Sequence, residues 1–273
     1  MRLELDRIAL DDAGSDPVRL AAAIHKQLPD LPAGYVPVEE IALGLDIVEI
    51  RVEDVGGFEG ALITQREKSY GSILVAAKSS SKRRRFTVGH ELCHFLHPRH
   101  QATNRDGFRC AKIGLAIPEE KIRHLRQEYE ADLFAIELLA PRNRVRPYLE
   151  HAPDLGRVIA MSETLRISKA AAVRRYANLH SEKVAAIFSQ NGVICNVVRP
   201  KLFPYLGVWN NHPLPAVSKR NGNELGDWSE GRAGDWLGFP AGKMLLMQTL
   251  HQIDGRATTL LHVVSEPSLV LAN

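Results

Sequence analysis

Residues 82–97 read K-R-R-R-F-T-V-G-H-E-L-C-H-F-L-H and hold the pattern H-E-x-x-H at 90–94. Phe86, Val88, Leu92, Phe95 and Leu96 predict a buried or half-buried helix that ends at Pro98. On a helix, residues four apart share a face. His90 and His94 can then offer imidazole nitrogens to one ion. A histidine pair on a buried helix needs polar partners, and a metal supplies one. Glu91 sits beside His90 and can reach a water bound to that ion. Metal binding lowers the pKa of such a water toward ~7. The Glu91 carboxylate can take its proton as the water attacks a carbonyl, and can later protonate the leaving amine.

A zinc ion in a catalytic site takes three protein ligands and keeps the fourth position for water. The third ligand is sought in E-Y-E-A-D, residues 128–132. Glu128 and Asp132 are four apart on a helix, so both project from one face. Glu128 is read as the ligand. Asp132 is read as the group that accepts the second ring N–H of one histidine and fixes its tautomer. Glu130, two positions from Glu128, is expected to point elsewhere. His100 competes with Glu128, because it lies ten residues after His90, the spacing of H-E-x-x-H-x-x-G-x-x-H. The glycine that turns the chain in that motif is replaced here by His97, followed by Pro98, so Glu128 is preferred. Cys93 lies on another face and reads as a small core residue. His97 reads as a helix-end residue. His97, His100 and His124 are the candidates for a group that stabilises an oxyanion.

Outward from this centre, Asp16-Pro17 starts a helix over 18–28, LPDLPAG (28–34) breaks it, and 36–45 forms a second, short helix. Segments 46–54, 57–65 and 69–77 read as strands of a small antiparallel sheet, with a turn at Gln65–Lys68. The segment 99–118 is irregular, with a short strand near Phe108–Ile113. Residues 118–141 form the strongest helical stretch, with Pro118 at its start and Pro141 at its close. A helical pair follows: Leu155, Val158, Ile159 and Leu165 share one stripe, and Ser168 caps a helix through Ala170, Val173, Tyr176 and Ala177. Asn191-Gly192 and Asp254-Gly255 each sit between apolar runs and mark two hairpins. The stretch between them is rich in glycine and contains Trp209, Trp228 and Trp236.

The chain has 273 residues, a formal net charge of +3, 45% hydrophobic and 25% charged residues. These values suit a globular protein of one large or two modest domains. The charge excess is too small to indicate nucleic acid by itself. Three cysteines, Cys93, Cys110 and Cys195, give no disulfide framework and suit a reducing compartment. The N-terminus lacks the apolar run of a signal peptide, and no stretch has the ~18 apolar residues of a membrane span. A cytoplasmic location is the expectation.

The stretches R-R-F-T-V-G-H-E-L-C-H-F-L-H (84–97) and E-Y-E-A-D-L-F-A-I-E-L-L-A-P (128–141) together resemble the ImmA/IrrE family of bacterial metallopeptidases. Its members typically show R-F-T-x-A-H-E-x-G-H and E-x-E-A-N-x-F-A-x-x-L-L-M-P. The resemblance runs from about residue 18 to 180. Gly89 stands where alanine is usual, Cys93 where glycine is usual, Ala140 where methionine is usual, and Asp132 where asparagine is frequent. None of these removes a ligand or the base. The resemblance implies a limited cut in a helix-turn-helix transcriptional repressor, whose removal turns on mobile-element or stress-response genes.

The reading is thus an α+β chain. A zincin-like metallopeptidase domain (1–150) precedes a helical, helix-turn-helix-like extension (151–182) and a C-terminal β-rich domain (183–273) with a sensory or partner-binding role. Lys169, Arg174 and Arg175 give the extension some basic character, but a packing scaffold is favoured over DNA reading. The basic run Lys82–Arg85 reads as a solvated turn, and the tryptophans as core of the β-rich domain. The expected function is a Zn2+ peptidase acting on a repressor. The alternative is a non-catalytic regulator, or a toxin–antitoxin component, that binds a repressor or DNA around a structural metal.

Overall fold

A computed structural model describes residues 3–29, 34–54, 57–102, 107–111, 118–215, 223–252 and 254–264. Part of the break read at 28–34, the far end of the strand expected to reach Ile113, and the strand ends at 253 and 265 lie outside the described residues. The chain mixes helices with two sheets and divides into two compact units. One comprises residues 1–144 and 163–168, the other 145–162 and 169–273.

The first unit opens with α1 (Pro17–Gln27). Its cap is Asp16, whose Oδ1 accepts from the amides of Val18 (2.8 Å) and Arg19 (3.0 Å), meeting two of the donors a helix start leaves unsatisfied. Then come α2 (Val38–Gly44), β1 (Ile47–Glu53), β2 (Phe58–Thr64), β3 (Gly71–Ala76), α3 (Ser81–Leu96), β4 (Gly107–Ala111) and α4 (Pro118–Leu139). The sheet order is β1-β3-β2-β4. It is mixed, not antiparallel as the three strand signals suggested. β2 pairs antiparallel with β3 across the tight turn at Gln65–Lys68, but β1 pairs parallel with β3. A short turn forces neighbouring strands to be antiparallel, whereas β1 lies beside β3 with no short turn joining them, so its direction is not set locally.

Helix α3 packs against α4, α2 and one face of β2 and β3. It is buried from Thr87 to Phe95, so its apolar residues form no single stripe against a polar face. The basic run belongs to its first turns and is not a solvated turn. Ser80 caps the helix through its Oγ. Lys82 pairs with Glu163 and Arg83 with Glu59. Arg84 donates to the carbonyls of Ala77 and Ser79. Arg85 is buried and donates to the Val36 carbonyl (2.5 Å) and to Glu39 (3.2 Å). These local partners offset the unfavourable placement of cations at a helix start.

Two glycines at the contacts of α3 differ in whether close approach requires them. A Cβ on Gly89 would stand 3.4 Å from the Cβ of Ala135 on α4, an ordinary contact. One on Gly60 of β2 would fall 2.2 Å from Thr87 Cγ2 and 2.8 Å from Glu91 Oε1. The strand can therefore lie over Glu91 only because residue 60 has no side chain.

The second unit contains α6 (Leu155–Thr164) up to Ser162, α7 (Lys169–Leu179) and an antiparallel sheet ordered β6-β5-β9-β8-β7. The strands are β5 (Val184–Gln190), β6 (Val193–Val198), β7 (Ser229–Gly231), β8 (Met244–His251) and β9 (Arg256–Val264). Both expected hairpins form. At the first, Asn191 (φ 50°) and Gly192 (φ 79°) both adopt the positive φ of the turn type that matches strand twist. Three short elements carried no legible signal: α5 (Arg142–Leu149, with Pro147 inside it), β7 and α8 (Ala233–Trp236). Of the tryptophans only Trp236 is core, packed among Phe203, Leu206, Leu245 and Leu261. Trp209 is 62% exposed and Trp228 half-buried, so the aromatic-core expectation holds for one of three. Arg175 is buried and Arg174 donates to Asn196 Oδ1 (3.1 Å). These contacts agree with a packing use of that helix. Among the described residues no helix is long and apolar enough to cross a membrane.

Two substitutions test the glycine assignments with opposite signs. Gly89→Ala should raise stability by about 0.5–1 kcal/mol, the helix-propensity gain, since the methyl fits. Gly60→Ala should cost ~1–3 kcal/mol, because two buried side chains must shift. Urea midpoints of the two variants decide, and equal shifts would refute the packing argument.

Candidate metal centre

The three expected ligands come together. His90 and His94 project from α3 one turn apart, and Glu128 projects from α4, which crosses beside it. His90 Nε2 and His94 Nε2 are 3.2 Å apart. Glu128 Oε2 lies 3.3 Å from His90 Nε2, and its Oε1 lies 3.3 Å from His94 Nε2. A tetrahedral ion with bonds of 2.0–2.1 Å would hold its donor atoms about 3.3–3.4 Å apart. The 3.2 Å between the two imidazole nitrogens matches that separation, Glu128 presents a different oxygen to each ring, and two imidazoles with one carboxylate suit zinc in chemical type. Both histidines are buried, His94 completely.

Other side chains pack around these three. Asp132 Oδ1 accepts from His90 Nδ1 at 2.9 Å, so Nε2 is the ring nitrogen turned toward His94 and Glu128. Glu91 is wholly buried beside Gly60. Phe108 of β4 stacks on the His94 ring at 4.7 Å. Lys68, from the β2–β3 turn, donates to the carbonyls of His94 (2.7 Å) and His97 (2.9 Å). Its ammonium thus closes the C-terminal end of α3, where a cation offsets the helix dipole. Burial lowers the Lys68 pKa to about 8.

Electrostatics couples the three ligands. Burial disfavours a charge on His90, but hydrogen bonds to Asp132 and Glu128 and the nearby carboxylates outweigh it and raise its pKa to about 10. Burial pushes the His94 pKa down to about 4. Burial likewise opposes the charge on Glu128, yet the two imidazoles that face it hold the carboxyl below the usual range. With no ion bound, the centre at pH 7 is then a His90 cation, a neutral His94 and a Glu128 anion.

The remaining candidates sort by position. Cys93 is buried in the core with its Sγ 3.8 Å from the Glu130 carbonyl. His97 caps the end of α3, as its place before Pro98 suggested. His100 does not join His90, His94 and Glu128. It stands behind His94, Nδ1 to Nδ1 at 3.0 Å. Glu130 does face away from Glu128, but it is not a bystander: it meets His100 Nε2 at 3.1 Å. Sequence reasoning missed this role, since only the turn after Pro98 brings His100 there. Of the three oxyanion candidates, His124 alone lies beside a ligand carboxylate, with Nδ1 3.6 Å from Glu128 Oε1.

Residues 46–176 match the family model of the IrrE N-terminal-like domain, peptidase M78, a segment just under half of the chain. No curated protein matches the sequence. Among solved structures, a Mycobacterium tuberculosis transcriptional regulator is similar in fold, with a TM-score of 0.50 at 9% identity. The similarity covers 94% of this chain and 74% of that one. At so low an identity the likeness concerns the fold alone.

A divalent cation entering the centre at pH 7 must displace the His90 proton. Binding of Zn2+ should therefore release close to one proton per ion, and affinity should climb about tenfold per pH unit as pH rises toward 10. Calorimetry in buffers of different ionisation enthalpy measures this, and proton-neutral binding would show that His90 carries no second proton at pH 7.

Proposed function

Residues 46–176 belong to the IrrE N-terminal-like family of peptidase M78 domains, and on that premise we propose that the chain is a zinc-dependent endopeptidase. It makes a limited cut in a protein partner, a helix-turn-helix transcriptional repressor, and so controls gene expression. The observation that carries the activity is the convergence of His90, His94 and Glu128 within 4.8 Å of one another, with Glu91 buried next to His90 in sequence. The repressor as substrate follows from the family resemblance of the two motifs, and the fold shared with a transcriptional regulator is in keeping with it.

In this reading His90, His94 and Glu128 hold the ion. When bound, zinc supplies Lewis-acid activation of a water and of the scissile carbonyl. Glu91 receives the proton of the attacking water and delivers it to the leaving amine nitrogen. Asp132 keeps the His90 ring in the Nδ1–H tautomer through its 2.9 Å contact. His124, beside Glu128, is the residue we assign to the developing oxyanion. The mixed sheet with α3 against it and α4 against α3 serves as a zincin-like scaffold. The helical pair α6–α7 serves as packing, and the β-rich unit, with Tyr205, Trp209 and Phe239 exposed, as a sensory or partner-binding surface.

The rival is a non-catalytic regulator with a structural ion. Structural zinc sites are closed by four protein ligands, whereas catalytic ones use three. The set His90, His94 and Glu128 has the catalytic number.

Glu91→Gln should keep the fold and bound zinc but slow cleavage by about 10²–10⁴-fold. The assay incubates wild type and variant with the helix-turn-helix protein encoded nearest the gene and reads fragments by mass spectrometry. Equal cleavage by the two proteins would remove Glu91 from the chemistry. An intact partner bound by a zinc-loaded wild type would favour the non-catalytic regulator.

A further inference from the structure

The two ligand imidazoles are fixed from behind in different ways. His90 meets a carboxylate directly, through Asp132. His94 does not: its Nδ1 meets a second buried imidazole, His100, at 3.0 Å, and His100 Nε2 meets Glu130 Oε2 at 3.1 Å. Arg126 anchors the far side of this carboxylate, its Nε donating to Glu130 Oε1 at 2.9 Å. His94 and His100 are 0% and 2% exposed.

The positions of the protons in this row follow from the acceptors at its end. A carboxylate only accepts, so the hydrogen between Glu130 and His100 sits on His100 Nε2. A neutral imidazole carries one N–H, so His100 Nδ1 is an acceptor. Its donor is His94 Nδ1, which must then carry the ring hydrogen. That leaves the lone pair of His94 on Nε2, the atom 3.3 Å from Glu128 and 3.2 Å from His90 Nε2. From this geometry we propose that His100 and Glu130 are positioning residues for the metal centre. They form a carboxylate–imidazole relay that sets the tautomer and ring angle of His94, and the relay rests on the reading of His94 as a metal ligand.

The relay is needed because of helix geometry. Asp132 lies one turn beyond Glu128 and shares its face, so it can reach His90 directly. Glu130 lies about 200° around the helix from Glu128 and can act on His94 only through an interposed group. His100 fills that gap. It is carried there by the turn after Pro98 and held by stacking on His97, whose ring centroid is 3.9 Å away.

The same residues could also be read as a second ion site, because His97, His100 and Glu130 also lie within 4.8 Å of one another. The hydrogen bonds argue otherwise. His97 Nε2 donates to the Ser15 carbonyl at 3.0 Å, and His97 Nδ1 accepts from the Arg99 amide at 3.3 Å. Both nitrogens of His97 are spent on holding the backbone. The Lys68 ammonium, bound to the His97 carbonyl, would also repel a second cation.

Long-range ¹H–¹⁵N NMR of the histidine rings in the metal-free protein tests the relay without any activity. His94 should be the Nδ1–H tautomer and His100 the Nε2–H tautomer. Calorimetry with Zn2+ alone then compares His100→Leu, His100→Asn and Glu130→Gln, each checked for folding by circular dichroism. His100→Leu should weaken zinc about 10–100-fold, the usual effect of losing a partner behind a ligand. His100→Asn, which keeps an acceptor near the Nδ1 position, should recover most of that loss. An Nε2–H tautomer at His94, or zinc affinity in His100→Leu within twofold of wild type, would overturn the relay. Two zinc ions per wild-type chain, the second lost in His100→Leu, would replace it with the second ion site. A wild type that binds no zinc would refute the metal reading, while the ring tautomers would still decide the hydrogen-bonded row.

Discussion

Two imidazoles and a carboxylate held 3.2–3.3 Å apart between two helices are the constraint on which the first unit depends. Such groups cannot be left in a protein interior with their polar atoms unanswered. Around them the chain answers one ring nitrogen of each histidine from behind and turns the other toward its neighbours. The helices must approach closely for this to work, and the small residues at their contact allow it: Gly89 on α3 meets Ala135 on α4, and both Ala131 and Ala135 are fully buried. Glu128, Asp132 and Ala135 recur at three- and four-residue steps, so the stretch that supplies the ligand also supplies the small residues of the contact.

The sheet and the turns hold α3 in place from the other sides. Gly60 lets β2 lie over Glu91, Lys68 closes the C-terminal end of α3, and Phe108 covers His94. Each comes from a strand or turn distant in sequence from the ligands. This spread explains why a helix carrying so many polar side chains can be buried almost throughout. It also ties the placement of His94 to the sheet, because Lys68 of the β2–β3 turn holds the backbone carbonyls of both His94 and His97.

The centre was legible in the sequence to the extent that helix periodicity encodes it. His90, His94, Glu128 and Asp132 are pairs four apart on two helices, and local spacing alone puts each pair on one face. Asn191-Gly192 and Asp254-Gly255 were legible for the same kind of reason, since a tight turn fixes its own strands. What local pattern does not encode was missed or misread. The parallel pairing of β1 with β3 depends on which strands become neighbours. The partnership of His100 with Glu130 depends on a turn after Pro98 meeting the back of another helix. The basic run 82–85 looked solvated because its partners, Val36, Glu39, Glu59 and Glu163, are remote in sequence. Trp209 and Trp236 look alike as residues, yet only the second is buried, a difference that neighbouring sequence does not carry.

The most direct test of the central claim is an anomalous-scattering map of crystals grown with zinc, recorded at the metal's absorption edge. A single peak about 2.0–2.1 Å from His90 Nε2, His94 Nε2 and a Glu128 carboxylate oxygen is the expected result. A peak among His97, His100 and Glu130 instead, or none near His90 and His94, would contradict the assignment of these three side chains as one metal centre.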